Sequence, residues 1–364
     1  MKTIIIFPYG RSGSDLLQSL FDNHEEISQF PGIFFWPEFF KKIQFEMSLQ
    51  KIADSFIRDH KFFFDSRLNR IERHEQLGER KDSFYTVNEE LFKKNFLSLF
   101  TDLKNKKRDI FINLHLAYSL SCGENINKKK IIVINLHLLE YYRDFEDINH
   151  EIILTIRNPI AVLSSSAKGW LNYKSGKHTS PWQCYYFLRR VFEIFKELLE
   201  KKNSFLVVKL ESLHLHSEKT LKNLSKAIGI EYNEKLLISS YHGKKWWGDS
   251  LSKEYLDGLN PHFKNNINFN YFFKKDLILI NHFLNKIFLN FEYKKEELKE
   301  NIFLIPLLKL LPLKIELLFF IQQLKSFNLK NSILFFYYWF KRVKLMKKDL
   351  YKDLSIPKDI TKLR

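Results

Sequence analysis

Apolar residues along this chain gather into short unbroken runs, each followed by small and polar residues and then by apolar positions at helical spacing. Thr3 to Phe7 is the first such run. Ile4, Ile5, Ile6 and Phe7 are β-branched or aromatic with no polar alternation, which predicts a strand buried on both faces, as in a parallel sheet. Pro8 ends it. Gly10 and Gly13 punctuate the turn that follows, Ser12 or Ser14 can cap the next helix, and Leu16, Leu17, Leu20 and Phe21 form its apolar face. Further strands are predicted at Asp109–His115, Lys130–His137, Glu151–Ile156 and Phe205–Leu210. Helices are predicted after Asn158, a natural N-cap followed by Pro159, across Trp182–Leu199, and across Glu218–Ile228 with Gly229 as its stop. Between Ser28 and Phe45, Pro31, Gly32 and Pro37 break any long helix in a segment dense in aromatic residues. Glu46 to about Phe100 is charged and helical in pattern.

This alternation predicts an α/β fold: a central parallel sheet of about five strands with an anion-binding turn, flanked by helices, plus a helical C-terminal extension. Residues 1–260 form the α/β domain, with 46–100 as a helical insertion, and 261–364 form the basic extension. In the extension, Asn301–Leu324 is apolar but interrupted by Pro306, Lys309, Pro312, Lys314 and Glu316, which argues against a transmembrane helix. Ser332–Phe340 is too short to span a bilayer, and a cluster of cations ending at Lys348 follows it. That juxtaposition suits a helix lying on an anionic membrane surface; the other reading is an appendix packed on the core or in a dimer contact.

Charge and cysteine content narrow the setting. The 364 residues carry a formal net charge of +17, which fits a polyanion or an anionic surface as partner, or a lysine-rich composition spread along the chain. Cys122 and Cys184 stand far apart, so neither a disulfide framework nor a cysteine metal site is indicated. The first apolar run is too short for a signal-peptide core, and a cytoplasmic protein is expected, with a peripheral place at the inner face of the membrane open to the extension.

The candidate chemistry begins at the first turn, where backbone N–H groups at a helix start make an anion site suited to phosphate or sulfate. The strict pattern GxxxxGK[ST] is absent, since no Lys follows Gly13. Pro8-Tyr9-Gly10-Arg11-Ser12-Gly13-Ser14 instead resembles the 5′-phosphosulfate-binding loop of the sulfotransferases that use 3′-phosphoadenosine 5′-phosphosulfate. Asp15 stands where that family usually has Thr. Arg157-x-Pro159 with Ser165 eight residues after the Arg is similar to the family's second signature. The two occur in the family's chain order.

The resemblance covers roughly residues 3–250 and implies roles. Arg11, Ser12, Gly13, Ser14 and Asp15 would hold the donor's 5′-phosphate, and Arg157 and Ser165 its 3′-phosphate. Lys244, Lys245 and Trp246 resemble the late segment that closes over the nucleotide. The base that takes the acceptor's proton would be His137, which ends a strand 20 residues before Arg157 and is favoured over His115, with Glu140 as the reserve. Glu211 and Leu213 match part of a further family segment. No metal is required, and His214 and His216 read as a solvated face rather than a metal pair. The aromatics of 28–45 either wall a sugar or lipid acceptor or fold back over the core. Sulfuryl transfer to a hydroxyl of a carbohydrate or glycolipid is the expected activity, with no nucleic-acid partner. A small-molecule kinase and a non-catalytic membrane or polyanion binder on the same fold are the alternatives.

Overall fold

The computed structural model describes residues 1–43, 48–68, 74–100, 106–171, 180–200, 205–248, 257–298, 302–325 and 329–346. In chain order, β1 (Lys2–Pro8) leads into α1 (Ser14–Leu20), and β2 (Ile27–Gln29) follows. Then come α2 (Trp36–Lys42), α3 (Leu49–Asp59), α4 (Lys61–Phe64), α5 (Glu89–Ser98) and α6 (Lys106–Ser121). Next are β3 (Ile131–Asn135), β4 (His150–Ile156), α7 (Pro159–Leu171), α8 (Pro181–Glu200), β5 (Phe205–Lys209), α9 (Leu210–Leu215) and α10 (Ser217–Ile228). A hairpin of β6 (Ser240–Tyr241) and β7 (Lys244–Lys245) precedes the last helices. Those are α11 (Lys274–Phe283), α12 (Asn285–Asn290), α13 (Ile305–Leu308), α14 (Lys314–Lys325) and α15 (Leu329–Leu345).

The five long-range strands form one parallel sheet in the order β2-β3-β1-β4-β5. Ile4, Ile5 and Ile6 are fully buried, as a central strand covered on both faces requires, and they pair with Val133, Ile134 and Asn135. The α/β expectation holds, with five strands. One of the five differs from the expectation. Asp109–His115 lies inside α6, whose buried residues Ile110, Phe111, Leu114, His115, Ala117 and Tyr118 recur every three or four positions. The missing strand is β2, three residues long at the sheet edge.

The chain divides into two compact units. The first comprises Met1–Phe7, Gly13–Leu154 and Ser212–His262; the second comprises Pro8–Ser12, Thr155–Glu211 and Phe263–Arg364. In the first, most described aromatics of segment 28–43 are core. Phe30 stacks on Phe63 at 4.9 Å between ring centroids, Trp36 meets Phe111 at 5.1 Å, and Phe56 stacks on Phe92 at 5.3 Å. Phe30, Phe34, Trp36 and Phe39 are all at most 2% exposed, so this segment folds back over its own unit. In the second unit, α15 packs along α8, and α14 touches both α15 and α7. No described helix is long and apolar enough to cross a membrane.

Candidate functional site

The second unit carries the start of the turn. Tyr9 continues the strand hydrogen bonding, its amide donating to the Thr155 carbonyl at 2.9 Å. Gly10 adopts φ +141, and a Cβ there would stand 2.5 Å from Val162 Cγ1 of α7. Only glycine lets the turn lie this close to that helix. Ser12 is fully buried. Its amide donates to the Gly10 carbonyl at 2.6 Å, its hydroxyl donates to the same carbonyl at 3.0 Å, and it shares a hydrogen bond with the Thr155 hydroxyl at 3.0 Å. Ser12 therefore holds the turn's shape with both of its donors.

Arg157 directly follows β4, one residue before the N-cap of α7. Asn158 caps that helix as its sequence predicts: Oδ1 accepts from the amides of Ile160 at 2.9 Å and Ala161 at 3.2 Å, with Pro159 in the first helical position. The guanidinium of Arg157 donates through Nε to Asn265 Oδ1 at 2.7 Å and through Nη1 to the Arg11 carbonyl at 3.4 Å. Asn265 Nδ2 in turn donates to Glu211 Oε1 at 2.8 Å, and Tyr293 donates to Glu211 Oε2 at 3.3 Å. Glu211 also accepts from the Asn158 amide at 3.1 Å, so one carboxylate anchors both the arginine's amide partner and the helix start. Arg11, Arg157 and Ser165 are half-buried, while the adjacent Ser164 is buried and accepts from the Asn268 amide at 2.8 Å. Asn265 and Tyr293 carried no signal in the sequence, because they lie in irregular segments far from the motifs they support.

In the first unit, Gly13 (φ 85) is the N-cap of α1 and no side chain caps it, so neither Ser12 nor Ser14 fills the capping role expected of it. The hydroxyl of Ser14 donates instead to Asp15 Oδ1 at 3.4 Å. Asp15 Oδ1 accepts from Asn135 Nδ2 at 2.7 Å and lies 3.5 Å from His137 Nε2. The acidic residue that departs from the sulfotransferase pattern thus faces the favoured base. His137 lies two residues beyond β3 and is half-buried, with its side chain 30% exposed. Glu140 lies in the short 3-10 stretch Leu139–Phe145 that follows, and its side chain falls outside the described residues.

His115 is elsewhere. It sits in the middle of α6, 1% exposed, with Nδ1 donating to the Phe111 carbonyl at 2.8 Å and its ring against Phe30 at 4.2 Å and Phe111 at 4.6 Å. Burial lowers its pKa to about 3, so it stays neutral and sealed from solvent. The strand-end position expected of it does not exist.

The segment around Lys244 is the β6-β7 hairpin, turned by His242 (φ 48) and Gly243 (φ 69). Asp22 holds it, accepting from the Ser240 hydroxyl at 2.7 Å and the Gly243 amide at 2.9 Å. Trp246 is 4% exposed and packs edge-on against Tyr241, which gives it a core role. Lys245 pairs with Asp257 at 2.6 Å and Glu79 at 3.3 Å, and Lys244 is half-buried in the same strand. His214 is buried and its Nδ1 accepts from the Asn260 amide at 3.0 Å, whereas His216 is exposed; the solvated face applies to His216 alone. Among the described residues, no group of three or more His, Cys, Asp or Glu could hold a metal ion.

No protein-family model and no curated protein matches the chain. Among solved structures, the chain is similar to the sulfotransferase domain of the Synechococcus PCC 7002 olefin synthase, with 14% identity over 70% of this chain and 80% of that one and a TM-score of 0.40. It is also similar to the sulfotransferase domain from the curacin biosynthetic pathway, with 15% identity over 74% of this chain and 88% of that one and a TM-score of 0.41.

Proposed function

We propose that the chain transfers a sulfuryl group from 3′-phosphoadenosine 5′-phosphosulfate to an acceptor hydroxyl on a carbohydrate or glycolipid. The observation that carries this reading is the meeting of two separately recognised motifs inside one unit. Ser12 of the turn bonds Thr155, and Arg157 donates to the carbonyl of Arg11. The Arg157 guanidinium thereby lies against the backbone of the turn that carries Arg11, an arrangement that suits a nucleotide with a phosphate on each side of its ribose. Gly10 lets the turn lie against Val162 of α7, the helix that starts just after Arg157, because a Cβ there would clash with that side chain.

The donor supplies an activated sulfur–oxygen bond. Arg157 and Ser165 hold the 3′-phosphate and so fix the donor's orientation. Arg11 and the amides of Gly13 and Ser14 hold the 5′-phosphate and meet the charge it gains on departure. His137 accepts the acceptor's hydroxyl proton, with Asp15 Oδ1 3.5 Å from its Nε2 and placed to meet the positive charge the ring gains.

Donor recognition is tested by affinity. Adenosine 3′,5′-bisphosphate is expected to bind far more tightly than AMP, and Arg157→Ala to erase the difference, at about 1.5–3 kcal/mol or roughly 10- to 150-fold. Equal affinity of the wild-type chain for both nucleotides would overturn the reading.

A further inference from the structure

Helix α15 is anchored on one face and bare on the other. Its inner face buries Ser332, Phe335, Arg342, Val343 and Leu345. The outer face carries Ile333 at 73% exposure, Phe336 at 49%, Tyr337 at 52% and Phe340 at 58%. These four stand at i, i+3, i+4 and i+7, a single stripe of a straight helix. The same stripe continues at Lys330 on one side and Lys344 on the other, both exposed. Four large apolar side chains are thus held in water between two cations, on a helix that contains no acidic residue.

We propose that this stripe docks α15 flat on an anionic lipid surface, independently of the transfer reaction. An apolar row flanked by lysines matches the layering of a bilayer interface: rings and aliphatic groups enter the acyl boundary while the lysine stems reach back to phosphate headgroups. A second copy of the chain fits less well. An antiparallel pairing of two such stripes sets Lys330 of one against Lys344 of the other, and a parallel pairing sets like lysines side by side, so cations repel in either arrangement. A plane of negative charge satisfies all of them. Exposed apolar stripes of this kind are unusual on a monomer unless something covers them.

The test uses the full chain with sedimented vesicles, either phosphatidylcholine alone or an equimolar mixture with phosphatidylglycerol. Binding is expected to the anionic vesicles and to weaken as salt rises. Phe336→Ser with Phe340→Ser should lower the partition coefficient at least about 10-fold, and Lys330→Gln or Lys344→Gln about fivefold each. An unchanged thermal melt and unchanged adenosine 3′,5′-bisphosphate affinity confirm that each variant is folded. Failure of the wild-type chain to bind anionic vesicles overturns the proposal. So does equal binding by the serine variant, or a concentration-dependent dimer that the serine variant abolishes in a chain that ignores vesicles.

Discussion

Asp15 tests whether its departure from the sulfotransferase pattern is damage or design. A carboxylate in the turn opposes a bound phosphate, yet here it accepts from Asn135 and faces His137 Nε2 at 3.5 Å. The two effects act on different steps. Asp15→Asn, which keeps the shape and removes the charge, is expected to tighten adenosine 3′,5′-bisphosphate binding while slowing turnover. His137→Ala is expected to cut turnover by about 10² to 10⁴ with nucleotide affinity nearly unchanged, as loss of a general base does. Donor-dependent sulfation at saturating donor, with affinity measured separately, distinguishes the two. If Asp15→Asn weakens binding and turnover together, the residue serves the fold alone. Arg11, Arg157 and Ser165 were legible from short motifs, because each lies at a fixed offset from a strand end or a proline. The partners that hold them were not. Asn265 holds Arg157, Tyr293 supports Glu211 behind it, and Asn135 holds Asp15, each through a contact between distant parts of the chain, and such contacts leave no periodic mark in the sequence.

Among the elements, α14 and α15 are joined by a buried ion pair, beside the packing of Phe320 on Phe335 and a hydrogen bond from Asn331 to Gln323. Arg342 is fully buried and donates through Nε to Glu316 Oε1 at 3.1 Å and through Nη2 to Oε2 at 2.9 Å. It also donates to the carbonyls of Leu311, at 2.8 Å, and Lys309, while Glu316 Oε2 accepts from the Leu313 amide at 2.8 Å. Burial pushes the Glu316 carboxyl pKa up, and Arg342 opposes that shift. Removing one partner strands the other in an apolar setting, so Arg342→Met is expected to cost about 3–5 kcal/mol. The double variant Glu316→Met with Arg342→Met should recover much of that loss. Urea unfolding of the three variants measures the coupling, and a single variant within about 1 kcal/mol of wild type would show the pair to be dispensable. The elements also show where sequence reading succeeded. β1, β3 and β4 announced themselves as unbroken apolar runs because central parallel strands are covered on both faces, and β5, at the sheet edge, still carries a short apolar run. β2 could not, since three residues are too few to show a period. The seven-residue window Asp109–His115 holds two apolar clusters and by itself reads as a strand. Only the longer run to Ser121 shows the spacing of three and four that makes it helical.

At the scale of the whole molecule, the strong basic charge and the dense aromatic core make acid the condition to which the fold should be most sensitive. In the first unit His60, His74 and His115 are buried and His242 is half-buried, and loss of hydration lowers all four pKa values, His60 and His242 to about 4 and His74 and His115 to about 3; the buried His24 is lowered in the same way. The unfolded chain titrates its histidines near 6.5, so between that value and the folded ones it binds more protons than the native state does. The sign follows: the stability is fully present above about pH 6.5 and is lost as pH falls toward 4. Each of the four can contribute up to about 1.4 kcal/mol per pH unit in that window. The growing positive charge on a chain already at +17 adds self-repulsion in the same direction. Surface carboxylates such as Asp65, held low by Arg67, lose their pairing only at more acidic pH, which separates the two effects. Urea midpoints measured from pH 7.5 to 4.5 should therefore fall steeply below pH 6.5. His115→Phe should flatten the slope by one histidine's share, because the ring it replaces already lies among Phe30, Phe34 and Phe111. A midpoint that stays level between pH 7 and 5 would mean that these histidines accept protons in the folded state without disturbing the core around them.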